Sequence, residues 1–274
     1  MISSYTIKRL AAATVLTVGA FSQVYATPVF GVDTMVFDGA ANKTFDADFI
    51  NGTASTLLQV TGPNTIFGRG YTQFTSFQLG SNVLFATESN LLNTYRMWAT
   101  YTFTTTLAGG SLLGLGSEYT INSLNFTLFG DKAGGPEPIF TAANVANILS
   151  ASVLTPATAV TLGTGLLDLS ANNVATINNA SGTSLNAKIL FSLTDPIGKS
   201  FFVDPDPFYS FAFSSFTNTS PGVVINSVTG RVSINNASGG VDFNVNEVPE
   251  PGSMALVGLG LVGLAVLRRR TSNK

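Results

Sequence analysis

The sequence predicts an all-β fold: a single antiparallel β-sandwich, jelly-roll-like, set between two terminal segments that are addresses and not fold. Three observations lead there. Apolar and polar residues alternate with period two over several short stretches. Clusters of Gly, Pro, Asn and Ser separate those stretches as turns. Between residues 27 and 246 no charge run, Pro-rich linker or shift in composition divides the chain, and that length suits one large β domain.

The elements follow in chain order. Met1 to Ala26 carries Lys8 and Arg9 ahead of an apolar stretch from Leu10 to Phe21, and Val24-Tyr25-Ala26 puts small residues at the −3 and −1 places of a cleavage site. This is the pattern of a secretory signal peptide cut between Ala26 and Thr27. In the body, Phe74, Ser76 and Gln78 alternate with Thr75, Phe77 and Leu79. Thr100, Thr102, Thr104 and Thr106 share a face opposite Tyr101, Phe103 and Leu107. Leu124, Phe126 and Leu128 alternate with Asn125, Thr127 and Phe129, and Tyr209, Phe211 and Phe213 with Ser210, Ala212 and Ser214. Each pattern reads as a half-buried strand. Gly62-Pro63-Asn64, Leu79 to Asn82, Ala108 to Gly110 and Asn218 to Gly222 read as turns. The only helix expected in the body is a turn or two over Ala142 to Leu149. A right-handed β-helix would need a short regular repeat. The sequence offers one repeated string, Ile177-Asn178-Asn179-Ala180-Ser181-Gly182 recurring from Ile234 to Gly239, which reads as two similar strand-to-turn corners.

The C-terminal end, residues 247 to 274, has three parts. Val248-Pro249-Glu250-Pro251-Gly252 comes first, then the uncharged run Ser253 to Leu267, then Arg268-Arg269-Arg270. Prolines keep the first part extended and accessible. The run is short for a spanning helix, a gap that bilayer thinning and snorkelling arginines close. Arginines at this end place it in the cytoplasm and the body outside.

These residues resemble the PEP-CTERM protein-sorting signal, also known as the ice-binding protein C-terminal domain. The resemblance implies processing by an exosortase, an integral membrane transpeptidase-like enzyme of Gram-negative bacteria that make exopolysaccharide. It implies a protein transiently anchored in the inner membrane by its C-terminal helix, then released to the cell surface or medium. Phe49-Ile50-Asn51-Gly52, Gly70 to Phe77, the strand around Tyr95 to Phe103, and Ser123 to Asp131 resemble the flocculation-associated PEP-CTERM proteins. That second resemblance implies a surface or matrix protein needed for cells to aggregate, and it brings no catalytic residues.

Composition narrows the chemistry. The chain is 45% hydrophobic and only 10% charged, with a net charge of −2, and it contains neither cysteine nor histidine. Disulfides, thiolate nucleophiles, Cys/His zinc sites and Ser-His-Asp triads are thereby excluded. Without a basic run in the body, nucleic acid is not an expected partner. No cofactor is expected. Remaining candidates are carboxylates: Asp33 with Asp38, Asp46 with Asp48, Glu88, Glu118, and Asp204 with Asp206. A pair of them is what a glycoside hydrolase needs, yet most adjoin Gly, Asn or Pro in loop-like places. Asp204-Pro205-Asp206-Pro207 has the oxygen density for Ca²⁺, but prolines occupy the intervening places of any EF-hand pattern, so a stiff turn is expected there. A single threonine row falls short of the stacked rows an ice-binding face requires. Tyr95, Trp98 and Tyr101 offer aromatic rings for sugar stacking but do not share one face. The sequence thus points to a non-enzymatic exported protein that promotes floc or biofilm formation together with exopolysaccharide. A carbohydrate-binding module is the alternative, and a carboxylate-dependent glycoside hydrolase stands behind it.

Overall fold

The computed structural model describes residues 28–244, apart from 115, 180–181, 194 and 219–221. After β1 (Phe30–Asp33), the short helix α1 (Met35–Asp38) and β2 (Thr44–Ala47), the chain enters a long meander. It runs through β3 (Phe49–Val60), β4 (Thr65–Leu79) with the small β5 (Asn82–Leu84) beside it, helix α2 (Ala86–Ser89), β6 (Tyr95–Gly109) and β7 (Ser117–Lys132). A hairpin of β8 (Ile139–Thr141) and β9 (Ser152–Leu154) precedes β10 (Val160–Leu167), β11 (Val174–Asn179) and β12 (Gly182–Ser192). Helix α3 (Pro196–Phe201) leads to β13 (Phe202–Asp204), and then come β14 (Phe211–Asn218), β15 (Val223–Asn226) and β16 (Arg231–Asn244).

All pairings between these strands are antiparallel, and most join strands that are near neighbours in the chain. β3, β4, β6 and β7 pair in order. β10 and β11 then lie end to end along β7, one against Asn125 to Gly130 and the other against Ser117 to Thr120. Their other edge meets β12, which pairs on to β14, β14 to β16, and β16 back to β3. The ladder returns to its starting strand. The expected antiparallel sandwich is therefore closed in the manner of an up-and-down barrel, with no long unpaired edge around its described body.

A second small sheet, in the order β13-β1-β2, covers one end. Its apolar residues continue the core of the body. Phe30 is fully buried, with ring centroids 5.1 Å from Phe243 and 6.5 Å from Phe77, while the Phe37 ring stacks on Tyr95 at 5.1 Å. One cluster thus runs from the cap through Ile50, Met97, Phe126 and Ile189. Smaller clusters around Ile66, Tyr119 and Ile177, and around Val232 and Ile234, fill the opposite end, where a cavity of about 60 Å³ remains.

Three sequence expectations change in the structure. Strict alternation sends Phe74 and Phe77 to opposite faces, yet both are buried, at 1% and 0% exposure. A β-bulge explains it: Asn51 pairs with Ser76 but Gly52 with Phe74, so one extra residue resets the phase. Ala142 to Leu149 forms turns and no helix. Asn144 and Asn147 each accept a bond from a backbone N–H two residues on, at 2.9 Å, and such local bonds compete with the helical ones. The repeated string divides as well. Ile177 to Asn179 ends β11 and Gly182 opens β12, with Asn179 pairing with Gly182, whereas Ile234 to Gly239 lies within β16 at a bulge. There Asn235 Oδ1 accepts from Ser55 Oγ at 2.6 Å and from Ala143 N–H at 3.1 Å.

Candidate functional site

Pro249, Glu250, Pro251, Arg268, Arg269 and Arg270, with the expected cleavage between Ala26 and Thr27, lie outside the described residues. The structure does place the points from which the chain reaches them. Val29 sits at the capped end, its carbonyl accepting a bond from Tyr209 Oη at 2.7 Å. Asn244 pairs with Phe211 at the same end. Both ends of the described body therefore lie on one side.

The candidate carboxylates have separate positions. Asp33 Oδ1 accepts from Met35 N–H and Asn42 Nδ2, both at 2.9 Å. Asp38 Oδ2 accepts from Thr34 Oγ1 at 2.6 Å and Asn90 Nδ2 at 2.7 Å, tying α1 to the segment before β6. Asp48 is buried and accepts Gly80 N–H at 2.7 Å, closing the turn after β4. Glu88 accepts Phe85 N–H at 3.0 Å at the start of α2. Glu118 is exposed near the uncapped end. One pairing emerges that sequence spacing does not reveal. Asp46 and Asp204 both lie opposite Gly31, one on each side of it in the cap sheet, so they share a face with a gap between them. Both are exposed. Among the described residues no group of three or more acidic side chains converges as a metal site.

The aromatic trio gives no sugar platform. Tyr95 and Trp98 are fully buried. Trp98 does point away from the barrel interior, but Phe129 stacks on it at 5.6 Å and Phe140, from the β8–β9 hairpin, covers it edge-on at 6.3 Å. Tyr101 points inward, bonds Thr56 at 2.7 Å and has its hydroxyl pKa pushed up to about 12 by burial. The threonine row is on the outer face. Of its β4 neighbours Tyr71, Arg69, Phe67 and Thr65, only the last is a threonine.

The residues Asp206 to Ser210 instead border a cleft of about 480 Å³ at the capped end. Helix α3, started by Pro196 and capped by Asp195 accepting Ile197 N–H at 2.8 Å, carries exposed Lys199 in its last turn. The chain then passes Phe202 and the cis-linked Pro205 and Pro207 before Phe208 and Tyr209. Phe208 packs 5.0 Å from both Phe202 and Phe243, which fixes it to the core. Burial and the negative charge of Asp204 raise the Tyr209 hydroxyl pKa above its ordinary value. Sequence reasoning marked Asp204 and Asp206 here but missed Lys199, Phe202, Phe208 and Tyr209. The Phe208-Tyr209 pair directly after the prolines was the available signal.

The C-terminal tail supplies the class. Residues 247–270 match the PEP-CTERM protein-sorting motif, so the chain is an exported protein that is anchored transiently in a membrane and processed there by an exosortase. The chain thus carries the sorting tail of PEP-CTERM proteins. No curated protein and no solved structure matches the chain.

Proposed function

We propose that this is a non-enzymatic surface or extracellular-matrix protein that promotes cell aggregation together with exopolysaccharide in a Gram-negative bacterium, exported by the signal peptide at Met1 to Ala26. The observation that carries the reading is the pairing of an exosortase sorting motif with a body whose β6–β7 outer face is lined by uncharged polar groups. On the outer face of β6 and β7, Thr100, Thr102, Thr104 and Thr106 run beside Asn122, Ser123, Asn125 and Thr127. Thr104 and Ser123 hydroxyls bond each other at 2.7 Å, and Asn122 Nδ2 donates to Thr106 Oγ1 at 2.6 Å. Hydroxyls and amides both donate and accept, so such a wall can bond a glycan without strong salt dependence.

A deletion strain, scored separately for aggregation and for exopolysaccharide output, tests the proposal. Lost aggregation with unchanged polysaccharide output is expected. Unchanged aggregation would refute it. The carbohydrate-binding reading is favoured by one specific feature, the cleft at the capped end, and by none of the aromatic residues in β6.

A further inference from the structure

We infer that the cleft between the end of β12 and the segment from Lys199 to Ser210 binds a neutral oligosaccharide, an inference that rests on the matrix reading above. Its volume, about 480 Å³, lies within the range of small-molecule sites, roughly 300–1,000 Å³. The apolar part is built from rings. Half-buried Phe208 and Tyr209, 5.5 Å apart, offer the ring surface, and Phe202, only 2% exposed, backs Phe208 at 5.0 Å. These rings are held before any ligand arrives: Phe208 by Phe243, and Tyr209 by its bond to the Val29 carbonyl. Preorganisation of this kind lowers the ordering cost of binding. Pro205 and Pro207 add stiff walls.

The polar part is sparse. Lys199, Asp206, Ser192 and Ser210 all line the cleft and are all exposed. An ammonium only donates, a carboxylate only accepts, and the serine hydroxyls do both. A sugar presents the matching surfaces, with C–H groups for the rings and hydroxyls for the polar rim. The carboxylate of Asp206 at the rim and the negative charge of Asp204, felt at Tyr209, oppose an anion, whereas a neutral sugar can bond Asp206, Lys199 and the serines alike. The cleft opens beside Ser210, which directly precedes the Phe211–Asn244 pair, so it lies next to the C-terminal end of the described body.

Calorimetric titration of the full chain in detergent micelles tests this, with cellobiose, maltose and N-acetylchitobiose as neutral probes and digalacturonate as the anionic one. At least one neutral probe is expected to bind. Lys199→Ala and Asp206→Ala should each weaken it about tenfold or more, the scale of a lost bond to a charged group, with thermal midpoints unchanged because both side chains are exposed. Glu118→Ala, near the uncapped end, should leave binding intact. Saturation by digalacturonate alone, binding insensitive to both variants, or no binding by any probe would overturn the inference. If no probe binds yet the deletion strain fails to aggregate, the cleft falls and the proposed function stands. If a neutral sugar binds but the deletion strain still aggregates, the cleft stands and the proposed function falls.

Discussion

Gly68 and Gly70 of β4 lie directly opposite Phe103 and Tyr101 of β6, inside the body. A Cβ at Gly68 would meet the Phe103 ring at 2.2 Å, and one at Gly70 would meet the Ser55 carbonyl oxygen at 2.4 Å and Tyr101 Oη at 2.7 Å. The aromatic rings occupy the room that side chains on β4 would need, so glycine here is a packing requirement. Gly68→Val is expected to destabilise by about 1–3 kcal/mol through overpacking, read from urea denaturation. Phe126 makes the opposite point. It is 5% exposed, with its ring 6.4 Å from Phe191, and Phe126→Ala should cost about 3–5 kcal/mol through the cavity it leaves. A negligible loss in either variant would contradict the described core. Phe126 was legible in the sequence because Leu124, Phe126 and Leu128 alternate cleanly with exposed or half-buried neighbours. The glycines were not, since their role depends on a partner strand more than thirty residues away.

At the scale of elements, the break between β10 and β11 shows how one stave of the ladder survives an interruption. Asp168 sits just past β10. Its carboxylate accepts from Ser170 N–H at 2.9 Å and Ser170 Oγ at 2.6 Å, and pairs with Lys188 Nζ of β12 at 3.5 Å. Backbone bonds reinforce the joint, with Asp168 N–H donating to the Lys188 carbonyl at 2.9 Å and Lys188 N–H donating to Asn173 Oδ1 at 2.8 Å. The Ser170 hydroxyl and N–H, and after them the Lys188 charge, hold the Asp168 pKa below its ordinary value. A carboxylate depressed in the folded state stabilises above its unfolded pKa, about 3.9, and loses that contribution as pH falls through the folded value. The thermal midpoint should therefore drop on acidification below about pH 4, and Asp168→Asn should flatten that part of the profile. An identical acid limb in the variant would remove Asp168 from the account. Sequence patterning found the long strands β6 and β7 but not this joint, which is set by side chains answering across strands. The bulge at Phe74 to Phe77 was hidden for the same reason: period two is a local rule, and one unpaired residue resets it.

At the scale of the whole molecule, fold and address are separate layers of information. Composition and alternation made the all-β body legible, and the Pro-Glu-Pro, apolar run and arginine cluster made the tail legible, because both are written in contiguous residues. The cleft was not legible, since β12, α3 and the stretch from Pro205 to Ser210 come together only through the closed ladder and its cap. Both termini of the described body lie at that capped end, beside the cleft. Among the described residues no helix is long and apolar enough to cross a membrane.

The central claim is that this tail is read and cut by an exosortase, and the measurement that tests it is a blot of cell and medium fractions from strains carrying the wild-type chain and a Pro249→Ala/Glu250→Ala/Pro251→Ala variant. The wild type should appear in the medium as a shortened form, and the triple variant should stay in the membrane fraction at full length. Release of the same shortened protein from the triple variant, in the same amount, would contradict the account.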